Sequence, residues 1–264
     1  ALECDHCRGR LLERMIPVKS PDALVERCRS LAAGGIRGVL ISGGCDAEGR
    51  LPWGRFMGAI RAVKAETDLF VSVHSGLVDD RDAQGLKQAG VDQALIDVVG
   101  CDETLRTVFH LPFGVARIEA ALAALARVGL AVVPHIVCGI HYGEMRGEKA
   151  AVEVISRFPV HQVVIVSLMP LPGTVMAKAV PPSAEAVADI IAEVRFAMPR
   201  TPVSLGCARE RGNPRLEVMA VDAGVNRLAL PSAEAASRAG FYGLEIRRRE
   251  TCGRGDRTPY AAPR

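Results

Sequence analysis

The sequence predicts an α/β fold: a parallel (β/α)8 TIM-type barrel. Three observations predict it. Apolar, β-branched runs alternate along the chain with amphipathic helical patterns, the order that gives a parallel sheet flanked by helices. Several of these runs are continuously apolar, as strands buried on both faces must be. The 264 residues, 49% hydrophobic and 24% charged, supply one large core at the size of a single barrel domain.

The elements follow in order. "SPDALVERCRSLAAGG" reads as a helix with Ser20 as N-cap, Pro21 at the first helical position and Gly34-Gly35 at the stop. Strands are expected at 38–44, 69–75, 93–100, 131–139, 162–170, 202–208 and 226–232. Helices are expected near 54–66, 80–89, 115–128, 147–157, 183–197, 214–223 and 233–239. Ala89-Gly90-Val91 and Ala223-Gly224-Val225 end helices and launch strands, with glycine where the left-handed conformation is needed. This makes seven strands. The helix at 21–33 has no strand before it, so an eighth is expected upstream of Ala1, making the first barrel strand truncated at the N-terminus. Residues 1–243 then form the barrel, the Pro-rich stretch 170–182 a long loop over its mouth, and 244–264 a partly disordered tail carrying Cys252.

Composition excludes several function classes. A net charge of +3 and 4% aromatic residues give no electrostatic or stacking surface for nucleic acid. The run "IRRRE" reads as a solvated tail. No apolar stretch reaches the ~18 residues of a membrane helix, and "LAVVPHIVCGI" is broken by Pro134 and His135. No signal-peptide pattern is seen and the cytoplasm is the default location. Eight unevenly spread cysteines suit metal ligands, catalytic groups or small core residues better than a disulfide framework.

Function in such a barrel belongs at the C-terminal strand ends, and the reactive residue types fall there. Cys4 and Cys7 follow the inferred first strand; Cys45 and Asp46 follow 38–44; His74 and Ser75 end 69–75. Cys101 follows 93–100, Cys138, His141 and Glu144 lie at or after 131–139, and Cys207 and Arg209 end 202–208. His135 lies on a barrel strand, and Arg209 and Arg211 could hold a substrate carboxylate. Cys28 shares a helical face with Leu24 and Leu31 and reads as core, as does Cys138 inside its apolar strand. The Cys4-x-x-Cys7 turn has several tenants: zinc, which needs two further ligands; a thiol–disulfide pair; or an iron–sulfur cluster, which can draw ligands from one short loop.

"CDHC", followed one βα unit later by "SGGCD", resembles the radical S-adenosylmethionine (SAM) superfamily, which carries Cys-x3-Cys-x2-Cys after its first barrel strand. The resemblance implies that Cys4 and Cys7 are the second and third ligands of a [4Fe-4S] cluster. His6 takes the commonly aromatic position, and the first cysteine is expected one position before Ala1. It also implies SAM binding by Gly43, Gly44 and Asp46, in place of the family's Gly-Gly-Glu, and by His74. "HIVCGIHYGE" resembles the later Gly-rich strand end near the adenine, with Gly139 and Glu144.

Within the superfamily, "CDHCRGRLLERM", "LISGGCDAEGRLP", "VHSGLVD", "PHIVCGIHYGEMRGE", "LGCARERG" and "AGVNRLALPS" resemble the biotin-synthase-like group that includes the two-subunit, archaeal-type lipoyl synthase. That resemblance implies reductive cleavage of SAM to a 5′-deoxyadenosyl radical, hydrogen abstraction, and sulfur insertion from a second iron–sulfur cluster. Cys45, Cys207 and Cys252 are the candidate ligands of the second cluster, although "ETCG" departs from the group's Glu-Cys-Cys tail. His135, Arg209 and Arg211 are candidates for substrate binding. The implied partners are an octanoylated lipoyl-carrier protein, a second radical SAM subunit and an electron donor such as ferredoxin. The alternatives are a radical SAM enzyme for another small molecule, a non-catalytic metal-binding barrel subunit, and a thiol–disulfide protein.

Overall fold

A computed structural model describes residues 2–210, 212 and 214–248. Seven strands, β1 (Gly38–Ile41), β2 (Phe70–His74), β3 (Gln93–Asp97), β4 (Ala131–Cys138), β5 (Val163–Ser167), β6 (Val203–Leu205) and β7 (Arg227–Leu228), form one sheet in chain order. Every neighbouring pair is parallel, with registers such as Gly38 opposite Phe70, Asp97 opposite His135 and Cys138 opposite Ser167. Among the described residues β1 and β7 are the two ends of the sheet, so it is a half-barrel, open between them.

The helices that cross between strands are α1 (Pro21–Ala33), α2 (Trp53–Glu66), α3 (Asp80–Gln88), α4 (Asp102–Thr107), α5 (Val115–Arg127), α6 (Glu148–Ser156), α7 (Ala184–Ala197), α8 (Arg215–Asp222) and α9 (Ala233–Phe241). Ser20, Ser183 and Ser232 cap α1, α7 and α9, each accepting from the amide three residues on at 3.2 Å. A cap of this kind contributes about 1 kcal/mol. Two short elements departed from expectation: a 3-10 turn at Arg10–Arg14, and α4, of which only the start at Cys101 was legible. Several strands also end earlier than their apolar runs. Val98 and Val99 continue the pattern of β3 but are buried beneath the following loop, outside the strand.

Strand alternation sorts the core into two sides. Ala94, Ile96, Val132, Ile136, Cys138, Val163, Ile165, Val203 and Leu205 pack toward the helices. Leu95, Val133, Val164 and Val166 form a smaller cluster on the concave side, joined by Val137 and Ala208. Cys28 and Cys138 are both core, as the sequence predicts. The Pro-rich stretch closes down on the end of β4. A Cβ on Gly143 would sit 2.2 Å from the Val180 carbonyl oxygen, and one on Gly139 would sit 2.5 Å from Pro182 Cδ. Met176 and Leu168 pack with Val108 and Ile140 beneath it.

One expectation is corrected here. Arg209 does not face a substrate; its side chain is fully buried. Its guanidinium donates to Glu217 Oε1 at 2.6 Å, to the Ala229 carbonyl at 2.8 Å and to the Gly206 carbonyl. The other oxygen of Glu217 accepts from the Ser232 amide at 2.5 Å. Burial pushes the Glu217 carboxyl up, but Arg209 and the Ser232 bonds outweigh it and its pKa falls. The pair ties the loop after β6 to α8 and to the start of α9. Removing one member of a buried, hydrogen-bonded pair strands a charge, at a cost of about 3–5 kcal/mol.

Arg209→Ala is therefore expected to lose about 3–5 kcal/mol in urea unfolding, against about 1 kcal/mol for Ser20→Ala. Arg209→Met combined with Glu217→Leu should recover most of the loss, because no uncompensated charge remains. An exposed-site loss of under about 0.5 kcal/mol for Arg209→Ala would remove the tie.

Candidate functional site

The site begins at the N-terminal loop. The Leu2 amide donates to the Cys45 carbonyl at 2.7 Å and the Asp5 amide to the Val108 carbonyl at 2.9 Å, docking the loop on two other strand-end loops. Within it, the Arg8 amide donates to Cys4 O at 3.0 Å and the Arg10 amide to Cys7 O at 2.8 Å. Arg8 and Gly9, at φ 46° and 76°, turn the chain back in the left-handed region. The result is a tight turn with both thiols on it, each partly buried.

The two cysteine side chains act on each other: Cys4, and then His6, pulls Cys7 down to about 4, while Cys7, with burial, drives Cys4 upward. Cys45 is close enough to raise Cys4 further. His6 Nε2 is buried without a hydrogen-bond partner. Paired sulfurs beside an orphaned imidazole nitrogen suit a soft, thiophilic metal centre.

Below the loop, the C-terminal ends of β1 to β4 bring further groups together. Cys45 is half-buried and raised to about 11 by burial and then by Asp97 and Asp46. His74 and His135 meet edge to face with ring centroids 5.9 Å apart. Asp97 lies opposite His135 in the ladder. Burial pulls His135 down to about 4; His74 pulls the same way, while Asp97 and the Val133 carbonyl, 3.1 Å from Nδ1, oppose it. These groups edge the concave apolar cluster of Leu95, Val133, Val164 and Val166.

Other expected residues are placed differently. Gly43 packs beneath Leu51, whose Cδ2 would lie 3.3 Å from an added Cβ, and Gly44 is exposed. Asp46 closes its own turn, Oδ1 accepting from the Glu48 amide at 3.0 Å and the Arg50 amide at 2.8 Å. That oxygen is engaged locally, whereas Asp46 itself is exposed. The Gly139 amide is likewise taken, donating to Glu148 Oε1 at 2.8 Å, and Pro182 covers its Cα. Gly139 therefore builds the turn and offers no open amide. Glu144 is exposed, its amide bonded to His141 O at 2.9 Å. Cys207 is exposed on the loop after β6. Arg211 and Cys252 lie outside the described residues. Among the described residues no three His, Cys, Asp or Glu groups are arranged to hold a metal ion.

Sequence reasoning missed Asp97, His110, Tyr142 and Glu148. Asp97 had a signal: it is the polar end of the apolar run "QALID". Glu148 is buried at the start of α6 and raised by that burial, with the Gly139 amide opposing; nothing local distinguishes it from a solvated helix-start acid. His110 and Tyr142 act through loop geometry, which periodicity does not report.

Comparison with known proteins agrees with this arrangement. A family model for the radical SAM superfamily matches residues 1–152, and one for the biotin and thiamin synthesis associated domain matches residues 165–245. The biotin synthase of Halorhodospira halophila is 29% identical over 65% of this chain and 52% of its own length. That of Desulforudis audaxviator is 26% identical over 85% of this chain and 67% of its own. The chain thus spans about half to two thirds of these relatives. Among solved structures, methylornithine synthase superposes with a TM-score of 0.66 at 16% identity, covering 94% of this chain and 80% of that one. The [FeFe]-hydrogenase maturase HydG gives 0.64 at 16% identity, covering 86% and 53%. These likenesses establish the fold. No helix among the described residues is long and apolar enough to cross a membrane. With a family model covering more than half of its length, the chain belongs to the radical SAM superfamily, in its biotin-synthase-like group.

Proposed function

We propose that this radical SAM enzyme inserts sulfur into an unactivated C–H position of an octanoyl chain carried by a lipoyl-carrier protein. The observation that carries the reading is the Cys4–Cys7 pair, docked through Leu2 on Cys45 above a concave face lined by Leu95, Val133, Val164 and Val166. The family's [4Fe-4S] cluster and SAM, when bound, supply a 5′-deoxyadenosyl radical. The chain's own residues do the rest. Cys4 and Cys7 hold iron, and His6 fills the remaining side of the turn. The concave apolar face accepts an aliphatic chain and keeps water from it.

A second iron–sulfur cluster, the sulfur source in this reading, would draw on Cys45. Asp97, His74 and His135 are gathered below Cys45, whereas Cys207 leaves from the loop after β6. Cys252 and Arg211 remain proposed ligands for the second cluster and substrate. Residues 1–243 act as one barrel unit, with a second radical SAM subunit and a ferredoxin-type electron donor as partners in the cytoplasm. The same apolar face would also take another aliphatic small molecule. A metal-binding subunit without catalysis would use Cys4 and Cys7 for zinc.

Anaerobic reconstitution separates these readings. About four irons per chain correspond to one [4Fe-4S] cluster and about eight to two; zinc without iron supports the subunit reading. Deoxyadenosine formation from SAM tests the radical step, and sulfur transfer to an octanoylated carrier, with and without a partner subunit, tests the substrate. Cys7→Ala is expected to lower deoxyadenosine formation by at least ~100-fold, the scale on which an essential group is lost.

His135 gives a pH test. Its folded-state pKa lies below the ordinary histidine value, so the unfolded chain takes the proton first. Its contribution to folding is complete above about pH 6.5 and is lost as pH falls toward about 4. The His135 ring should be neutral by NMR at about pH 5.5, and His135→Gln should flatten the stability loss between those limits. An ordinary titration near pH 6.5 would rule out the buried environment.

A further inference from the structure

We infer that Asp5, His110 and Tyr142 form a clasp that sets the Cys4–Cys7 loop in its metal-ready shape before any metal arrives. The inference rests on the reading of Cys4 and Cys7 as cluster ligands and adds a positioning function for three residues outside it. Asp5 stands between the two cysteines. Its Oδ1 lies 2.9 Å from His110 Nε2, and its Oδ2 accepts from the Tyr142 hydroxyl at 2.7 Å. Tyr142 Oη also lies 3.2 Å from the Thr107 carbonyl. The Asp5 amide is bonded to Val108 O at 2.9 Å. Asp5 is thus held through both carboxylate oxygens and its backbone, by residues more than a hundred positions away.

The backbone of the two holders is the second observation. His110 and Tyr142 adopt φ values of 55° and 52°, among four described non-glycine residues in the left-handed region. A third, Arg8 at φ 46°, lies in the cysteine loop itself. For a bulky aromatic such as Tyr142 that conformation is unfavourable and persists only where surrounding contacts over-determine it, whereas histidine tolerates it. Both residues whose side chains reach Asp5 stand in this region. Tyr142 is further braced: its ring meets His141 edge to face at 5.4 Å, and His141 Nδ1 lies 3.0 Å from Thr104 Oγ1 in a buried contact. The α4 segment and the turn after β4 therefore form one support, and together they hold the aspartate between the cysteines.

The consequence is pre-organisation. A four-residue cysteine turn free to fluctuate would have to be ordered at the moment of metal capture; the clasp removes that requirement. Tyr142 and His110 touch neither sulfur nor any reacting atom described above, so they are positioning residues.

The test uses the full chain in metal-free and reconstituted forms, with Tyr142→Phe, His110→Asn and Asp5→Asn. His110→Asn keeps a residue tolerant of the left-handed backbone, and Tyr142→Phe keeps the ring. In the metal-free protein, amide exchange over residues 2–10 should speed at least ~10-fold in Tyr142→Phe and Asp5→Asn, while core amides of β4 and β5 keep their wild-type rates. After reconstitution, iron loss to a chelator should quicken by at least ~5-fold in the same variants. Unchanged exchange over residues 2–10 overturns the clasp, as does equal acceleration in the core amides, which would mean general destabilisation. A wild-type chain that takes up no iron while the exchange difference stands overturns the cluster reading and leaves the clasp as a loop restraint.

Discussion

The parallel ladder is the constraint on which everything else depends. Because all seven strands run the same way, every loop that follows a strand leaves from one edge of the sheet. The ladder orders Cys45, His74, Asp97 and His135 along that edge although 90 residues separate the first from the last. The register makes this concrete. Asp97 pairs with His135, and His74 with Leu95 two residues lower in the ladder, so an acid and two imidazoles stand on neighbouring levels. The N-terminal cysteine loop then needs only a few bonds, from Leu2 to Cys45 and from Asp5 to Val108, to join them.

The side chains along that edge divide by what they are bonded to. Arg209 with Glu217, and Glu148 with the Gly139 amide, are buried and paired, although Arg209 Nε itself has no partner, and both fasten loops. Lys64 with Asp92, at 2.6 Å, does the same for α2 and the start of β3, with Asp92 also accepting from the Val71 amide. Cys7 and His135 are different: Cys7 is pulled down by Cys4 and then His6, and His135 by its own burial, with His74 adding to it and Asp97 opposing. Perturbed groups clustered in one place are what a functional site is expected to hold, whereas the fastened pairs serve as scaffold.

The division explains what the sequence made legible. Strand and helix positions followed from hydrophobic period and caps: Ser20, Ser183 and the Ala-Gly-Val joints fell within a residue or two of the observed boundaries. Cys4, Cys7, Cys45 and His74 were singled out because they stand at strand ends in a repeating βα pattern, and His135 because it lies on a barrel strand. Arg209 stands there too, and the same rule misread it. Position gives the edge of the barrel but not whether a guanidinium turns toward substrate or toward Glu217. Asp46 and Gly139 are each partly committed as well: a turn takes one Asp46 oxygen, and Glu148 at the start of α6 takes the Gly139 amide. The resemblance to the family's motifs correctly placed the chain, but motif-matched residues need not keep the same free groups.

The misreadings share a physical cause that also bears on the site's rigidity. Loops leaving a parallel sheet lie over its end and would bury backbone polar groups, so those groups must be paired locally. Side chains near the edge are recruited for that purpose before they are free for ligands. Asp46, Glu148 and Arg209 are spent in this way, and Asp5 is spent holding the cysteine turn. Cysteine sulfur and imidazole stand at the mouth beside the Asp97 carboxylate. A mouth that keeps thiols and imidazoles beside an apolar face is suited to gripping a metal centre and an apolar chain. It is poorly suited to recognising a heavily charged substrate through many direct ion pairs.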